Sequence, residues 1–250
     1  MREDQAQGLR QLFARRTCQI AAICGTDGTT VCTGVARALG AMGYRVCILD
    51  RTTGEAARAV GRRAKYDLAQ VLDHDCSLEQ ALLEGPDQVA VLPCARGLER
   101  IAAERGEWRG ALHTMLPQLA STFDVWLVNG PLPGHAPTAP MLLAVNSSAP
   151  AITHAYGLIK ALARAQERRN FGVIVHDSIG QQAARHVHEC VADTARRFLG
   201  AELELYGWVP AAAHPADATS ETRRQQAFGK IADRLMTNLS TAPLLRTGSC

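Results

Sequence analysis

The stretch from residue 19 to residue 30 decides the fold, and it reads Gln19-Ile20-Ala21-Ala22-Ile23-Cys24-Gly25-Thr26-Asp27-Gly28-Thr29-Thr30. An apolar run ends in glycine and small helix-compatible residues follow, which predicts a buried strand, a tight turn and a helix. The amino end of such a helix attracts anions, because free backbone N–H groups and the positive helix end meet there. Two interpretations stay open. The turn binds a phosphate, or it needs glycine only for its backbone shape.

Outward from this stretch, apolar runs alternate with helical patterns. Strands are predicted at residues 19–24, 45–49, 89–93, 125–129, 141–145, 172–176 and 204–209. Helices are predicted at residues 31–42, 108–121, 154–168, 181–198 and 221–239. This alternation is typical of an α/β fold with a doubly wound, mostly parallel sheet, here of about seven strands. Several strands are continuously apolar, which indicates a sheet covered on both faces.

Three sections of chain are expected. Residues 17–240 form the α/β domain, and residues 241–250, rich in Pro, Gly, Ser and Thr, form a flexible tail. Residues 1–16 form an amphipathic segment, with Leu9, Leu12 and Phe13 at helical spacing. A helix this short is marginal in water unless it docks. It either folds back on its own domain or binds a partner.

Composition indicates an ordinary globular protein. Apolar residues make up 47% and charged residues 20%, and the net charge of +3 is too small to predict nucleic-acid binding. The charged N-terminus does not resemble a secretory signal. The eight cysteines form no Cys-x-x-Cys pair. These features predict a reducing, cytoplasmic location without a disulfide framework.

The order and spacing of many short motifs resemble the MinD/ParA-type P-loop ATPases, and within them the FlhG/FleN group of bacterial flagellar regulators. The matching stretches are residues 20–25, 36–50, 66–72, 76–80, 84–93, 95–100, 123–129, 152–160, 197–200 and 205–210. Residues 4–13 also match the DQAxxLR motif of FlhG proteins. The resemblance implies a MinD-like P-loop fold.

The resemblance also implies where ATP and Mg²⁺ would bind. The cofactor-binding positions are Gly25, Asp27, Gly28, Thr29, Thr30, His176 and Pro210. The metal-side positions are Thr29, Thr30 and Asp50, and Asp50 and Asn129 stand at the family's catalytic positions. In such proteins a lysine and Mg²⁺ neutralise the phosphates, and a hydroxyl and a carboxylate hold the metal.

The sequence departs from that pattern at five places. The phosphate loop lacks both family lysines, looks two or three residues shorter and carries Asp27. The second acid of the family's acidic segment is Thr52, the switch aspartate is Asn129, the base-side asparagine is His176, and an alanine run at 211–213 replaces a later acid. We expect ATP hydrolysis to be impaired or absent. One alternative is an active ATPase with its neutralising group elsewhere; another is a ParA-like partitioning or secretion accessory protein.

Protein contacts would then carry the function. On resemblance, Gln5, Leu9, Arg10 and Phe13 would bind an FlhF-like GTPase. A flagellar transcriptional activator or a basal-body component are further partners that the family implies, and a homodimer is compatible with it. The apolar stripe in residues 228–239 favours a core helix over one that seeks the membrane, which leaves peripheral inner-membrane contact weakly supported.

His186, His188 and Cys190 lie close together in the sequence. On a helix only His186 and Cys190 share a face, so the three cannot converge on one metal ion. This group is interpreted as a solvated helix surface.

Overall fold

A computed structural model describes residues 18–103, 121–131, 139–177, 180–211 and 218–241. The strands are β1 (Gln19–Gly25), β2 (Val46–Asp50), β3 (Leu83–Glu84), β4 (Val89–Pro93), β5 (Val125–Asn129), β6 (Met141–Val145), β7 (Asn170–His176) and β8 (Glu202–Val209). The helices are α1 (Gly28–Ala41), α2 (Glu55–Ala59), α3 (Leu68–Leu72), α4 (Leu78–Ala81), α5 (Ala95–Ala103), α6 (Ala149–Gln166), α7 (Gln181–Leu199) and α8 (Ala218–Thr241).

The strands form one sheet in the order β3-β4-β2-β5-β1-β6-β7-β8. All neighbours are parallel except β3, which runs antiparallel to β4. The predicted α/β class and mostly parallel sheet are confirmed. The count is eight rather than about seven, because β3 is a two-residue edge strand and too short to produce a hydrophobic pattern.

Both faces of the sheet are covered, as the continuous apolar runs predicted. Along β1, Ala21 and Ile23 face a core built with α1, α2 and α8, whereas Ala22 and Cys24 face the side that packs on α6 and α7. A third cluster, around Trp126 and the helices α3 to α5, continues that second side. Fully burying one such Ile or Leu side chain contributes about 1.5–3 kcal/mol.

Helices α1 and α6 begin earlier than their hydrophobic patterns predict. Helix α1 begins at Gly28, before the expected residue 31, because only Thr26 and Asp27 separate it from β1. Helix α6 begins at Ala149, where the Ser148 side chain accepts a hydrogen bond from the backbone N–H of Ala151. Most of the helix predicted at 108–121 lies outside the described residues.

Gly25 makes the close approach of β1 to β6 feasible. Its φ is +118°, and an added Cβ would lie 2.2 Å from the carbonyl oxygen of Ala144. Only glycine fits this conformation and this contact. The turn that opens α1 is therefore anchored directly to the neighbouring strand.

Asp67 connects two helix starts. Its Oδ1 accepts from the backbone N–H of Ala69 in α3 and from that of Gly97 in α5, both at 2.9 Å. Its Oδ2 accepts from the backbone N–H of Arg96 at 3.3 Å. The buried carboxylate thus satisfies donors that the first turns of both helices leave open.

The outer edge of β8 is covered by side chains. His188 Nε2 lies 3.0 Å from the Leu203 carbonyl oxygen. Arg234 Nη1 donates to the Leu205 carbonyl at 2.6 Å. Backbone groups of alternate residues point to opposite sides of a strand, and those of Glu204 face β7. The carbonyls of Leu203 and Leu205 therefore lie on the free edge.

Several predictions fall outside the described residues. They are the segment 1–16 with Gln5, Leu9, Arg10 and Phe13, and the tail after residue 241. Among the described helices, none is long and apolar enough to cross a membrane.

Candidate functional site at the strand ends

The candidate site lies where parallel strands end and α1 begins. In an open parallel sheet, the carboxyl ends of the strands form the usual ligand crevice. Here β1 is flanked by β5 and β6, so the turn before α1 stands between the residues that follow those two strands. Asp50, at the end of β2, pairs in register with Asn129, at the end of β5.

Asp50 is fully buried, and both carboxylate oxygens accept hydrogen bonds from the protein. Oδ1 accepts from the Thr52 backbone N–H at 3.0 Å, from Thr52 Oγ1 at 2.6 Å and from Asn129 Nδ2 at 3.1 Å. Oδ2 accepts from the backbone N–H of Ala56 at 3.1 Å. Four donors therefore compensate the burial of this carboxylate.

Thr29 extends the same network towards solvent. Its Oγ1 donates to Glu55 Oε2 at 2.8 Å and accepts from Asn129 Nδ2 at 3.1 Å. The Asn129 amide thus links the hydroxyl of Thr29 to the carboxylate of Asp50. Thr30, by contrast, is exposed and lies outside this network.

Asp27 points away from its own helix. It precedes α1 but makes no side-chain capping hydrogen bond to it. Its Oδ2 accepts from Asn146 Nδ2 at 2.9 Å and lies 3.7 Å from His176 Nδ1. A carboxylate next to the positive end of a helix is favourable by about 0.3–1 kcal/mol. Asp27 therefore ties the ends of β6 and β7 to the turn before α1.

Arg51 is committed to the loop that follows β5. Its guanidinium donates to the Pro131 carbonyl, and its backbone N–H donates to the Asn129 carbonyl at 3.2 Å. Gly130 has φ +131°, and a Cβ there would lie 3.2 Å from the Arg51 side chain. Arg51 is thus held by the backbone of the loop that begins at Asn129.

Asp177 organises the ends of the last three strands. Its Oδ2 accepts from the backbone N–H of Ser147 at 2.6 Å and from the Ser147 hydroxyl. Its carbonyl accepts from Trp208 Nε1 at 2.9 Å. Pro210, half-buried, follows β8 beside this group.

The structure therefore groups the predicted positions into two clusters. Thr29, Asp50 and Asn129 come together in one, and Asp27 and His176 in the other. Sequence reasoning missed Glu55 and Asn146, which complete the two clusters. Asn146 directly follows a buried strand, which was a usable signal.

Within the described ranges, no group of three or more His, Cys, Asp or Glu side chains is arranged to hold a metal ion. Burial raises the pKa of Cys24 to about 12 and also raises that of Cys32. His186 and Cys190 pair on the α7 surface at 3.7 Å while His188 contacts β8, so the three do not converge.

Comparison with known proteins points in one direction. No family model matches the chain. The antiactivator FleN of Pseudomonas aeruginosa is 27% identical over 215 residues, which cover 81% of this chain and 77% of FleN.

Solved structures share the fold. MinD from Aquifex aeolicus, in a MinC:MinD complex, has a TM-score of 0.63 and 24% identity, covering 92% of this chain and all of that one. MinD alone from the same organism has a TM-score of 0.62 and 22% identity over the same shares. Apo McdA from Cyanothece has a TM-score of 0.61 with 12% identity, covering 89% of this chain and 99% of that one.

The sheet order and these structural similarities show that the chain has a MinD-like α/β fold. Its sequence is similar to that of the antiactivator FleN over most of the length of both chains.

Proposed function

We propose that the chain is an FlhG/FleN-like regulator of flagellar number and placement that acts through protein contacts, with ATP hydrolysis impaired or absent. The sequence similarity to FleN supports the regulatory part of this proposal, and the closed hydrogen-bond network of Asp50 carries the catalytic part. Both of its oxygens accept from protein donors, and one donor is the Asn129 amide that stands where the family has a second carboxylate.

The residues at the strand ends do not fit Mg²⁺·ATP well. A cation at Asp50 would have to displace a donor that already compensates the buried charge. The turn before α1 adds the negative charge of Asp27 where a phosphate would bind, and no lysine follows it before Lys65. Two unit charges about 4 Å apart interact by about 4 kcal/mol at an effective dielectric of 20, which exceeds the helix-end contribution.

Arg51 does not fill the place of the missing lysine. A P-loop lysine reaches the phosphates as a flexible point charge, whereas the guanidinium is a rigid fork. The Arg51 fork is engaged with the Pro131 carbonyl. This contact supports the proposal against the alternative of an active ATPase with a relocated cation.

The test of the catalytic part uses the full chain. We expect calorimetric titration with Mg²⁺·ATP to give no micromolar binding and phosphate release to stay at the buffer rate. The catalytic part would be overturned by micromolar binding together with ATP turnover, if Asp50→Ala abolished that turnover and Asp193→Ala preserved it. Asp193 is a suitable control because it is an exposed acid on α7, paired with Arg196.

The partner part of the proposal rests on the N-terminal motif. We propose that Gln5, Leu9, Arg10 and Phe13 engage an FlhF-like GTPase. Deleting residues 1–16 should abolish stimulation of that GTPase, and so should the double change Leu9→Ala/Phe13→Ala. Stimulation that survives both changes would remove this role. A flagellar transcriptional activator or a basal-body component would then be examined with the same variants.

A further inference from the structure

Four exposed cationic side chains lie within one short stretch at the end of α2 and in the turn after it. They are Arg58, Arg62, Arg63 and Lys65, and together they are called the basic segment. The chain as a whole carries a net charge of only +3, so this stretch is a local concentration of charge. It extends from α2, which follows β2, to the edge strand β3, whose Glu84 carbonyl accepts from Arg62.

The backbone of the basic segment is ordered by the end of α2. The backbone N–H of Arg62 donates to the Ala57 carbonyl at 2.8 Å, and that of Gly61 to the Arg58 carbonyl at 3.0 Å. Gly61 has φ +73°, which completes a Schellman-type helix end. The cationic side chains thus project from a hydrogen-bonded turn with a defined backbone conformation.

Neutral groups, rather than carboxylates, hold the basic segment. Arg58 Nη1 donates to the Thr53 carbonyl at 3.1 Å, and Arg62 Nε to the Glu84 carbonyl at 2.7 Å. Lys65 Nζ lies 4.9 Å from the Tyr66 ring centroid, and its hydrogen bond to Tyr66 raises the pKa of the lysine. Among the described residues, none of the four takes part in an ion pair within 4.0 Å. The Arg58 and Arg62 forks are therefore oriented by neutral carbonyls, without a carboxylate to compensate their charge.

We propose that the basic segment is a docking surface for an acidic segment of a partner protein. Guanidinium forks bind carboxylates in bidentate geometry, and pre-ordered forks lose less entropy when they bind. This surface is separate from residues 1–16. It does not depend on whether the strand-end site binds a nucleotide.

The residues between the cations favour a protein partner over a nucleic acid or a membrane. Ala59, Gly61 and Ala64 are small and offer no bulky side chain for insertion into lipid or for stacking on bases, and the neighbouring Tyr66 ring is half-buried and already contacts Lys65. Glu55 and Glu84 flank the basic segment and are exposed, which would oppose a long phosphate backbone.

The experiment measures binding of a fluorescent oligoglutamate peptide to the full chain by anisotropy, with an oligoglutamine peptide as the neutral comparison. The double reversal Arg63→Glu/Lys65→Glu should weaken oligoglutamate binding at least about tenfold, since each surface charge contact is modest and several act together. The matched reversal Arg164→Glu/Arg185→Glu changes the net charge equally at exposed positions on α6 and α7. It should change the affinity less than about twofold.

Every other result overturns the proposal. Absence of oligoglutamate binding does so, as does equal weakening by the matched reversal. Tighter binding of duplex DNA or of phosphatidylserine vesicles through the same residues would assign the surface to a nucleic acid or to a membrane instead. If the double reversal lowers the unfolding temperature, Arg63→Gln/Lys65→Gln takes its place. It should then weaken binding about threefold.

Discussion

The side-chain amide of Asn129 donates to the carboxylate of Asp50 across 3.1 Å, in a site where both groups are buried. The two residues end neighbouring strands in register. An aspartate at position 129 would place two carboxylates at this distance, an arrangement that needs a proton or a cation between them. With asparagine, the pair is stable without either.

Asn129→Asp should therefore be costly and should create a requirement for metal. We expect a loss of about 2–4 kcal/mol of unfolding free energy from carboxylate repulsion and the lost donor. For a chain of this size, that corresponds to roughly 4–16 °C in unfolding temperature. Added Mg²⁺ should restore part of the loss in thermal melts. Asn129→Ala should lose stability too but should gain none from Mg²⁺, and equal responses of the two variants would contradict the argument.

The contact between Asp27 and His176 should show a modest energetic coupling. The side chains are 25% and 12% exposed, so solvent screens a pair that lies 3.7 Å apart. A double-mutant cycle with Asp27→Ala and His176→Ala should give about 0.2–1 kcal/mol. The exposed pair of His186 and Glu189 should give almost none, and a coupling as large there would remove the special role of Asp27.

Asp67→Ala should cost more than an ordinary capping mutation. The carboxylate accepts backbone hydrogen bonds at the starts of both α3 and α5, so its removal leaves two helix ends uncapped. We expect about 2–4 kcal/mol in denaturant unfolding. Ser77→Ala is the matched comparison, since Ser77 caps α4 alone, and it should cost about 1 kcal/mol. Equal costs would show that the link to α5 contributes little.

Among the described cysteines, Cys190 should react with a thiol reagent much faster than the others. Burial raises the pKa of Cys18 and of Cys24 to about 12, and also raises that of Cys94. The thiolate is the reactive form of cysteine. At pH 8, only about one ten-thousandth of a thiol with a pKa near 12 is ionised, so it reacts slowly. In a Cys250→Ser background, exposed Cys190 should label fast and the described remainder only on unfolding. A second fast thiol after Cys190→Ser would contradict this burial pattern.

The sequence was sufficient for the sheet because hydrophobic patterning reports burial directly. Strands β4, β5 and β6 have the predicted bounds, and each is continuously buried. The edge strand β3 was not predictable, since Leu83 and Glu84 pair only through tertiary contact with β4. The early start of α1 was also missed, because a turn of two residues leaves no trace in periodicity.

The candidate site was predictable in its positions and not in its contacts. Asp50, Asn129 and Asp27 were identified from motif order, and the losses of charge were visible in the residue types. Their partners were not visible. Glu55 reaches Thr29 from a position 26 residues away, and Asn146 reaches Asp27 from a position 119 residues away. Side-chain hydrogen bonds over such separations depend on strand order, which a single sequence does not encode locally.

The covered edge of β8 has a consequence for how copies of this protein meet. A strand from another molecule could extend the sheet only by pairing with the outward carbonyls of Leu203 and Leu205, and side chains of α7 and α8 already contact both. Growth in that direction would have to break existing contacts before it formed new ones. At this end the molecule therefore resists the edge-to-edge strand pairing that leads to aggregates.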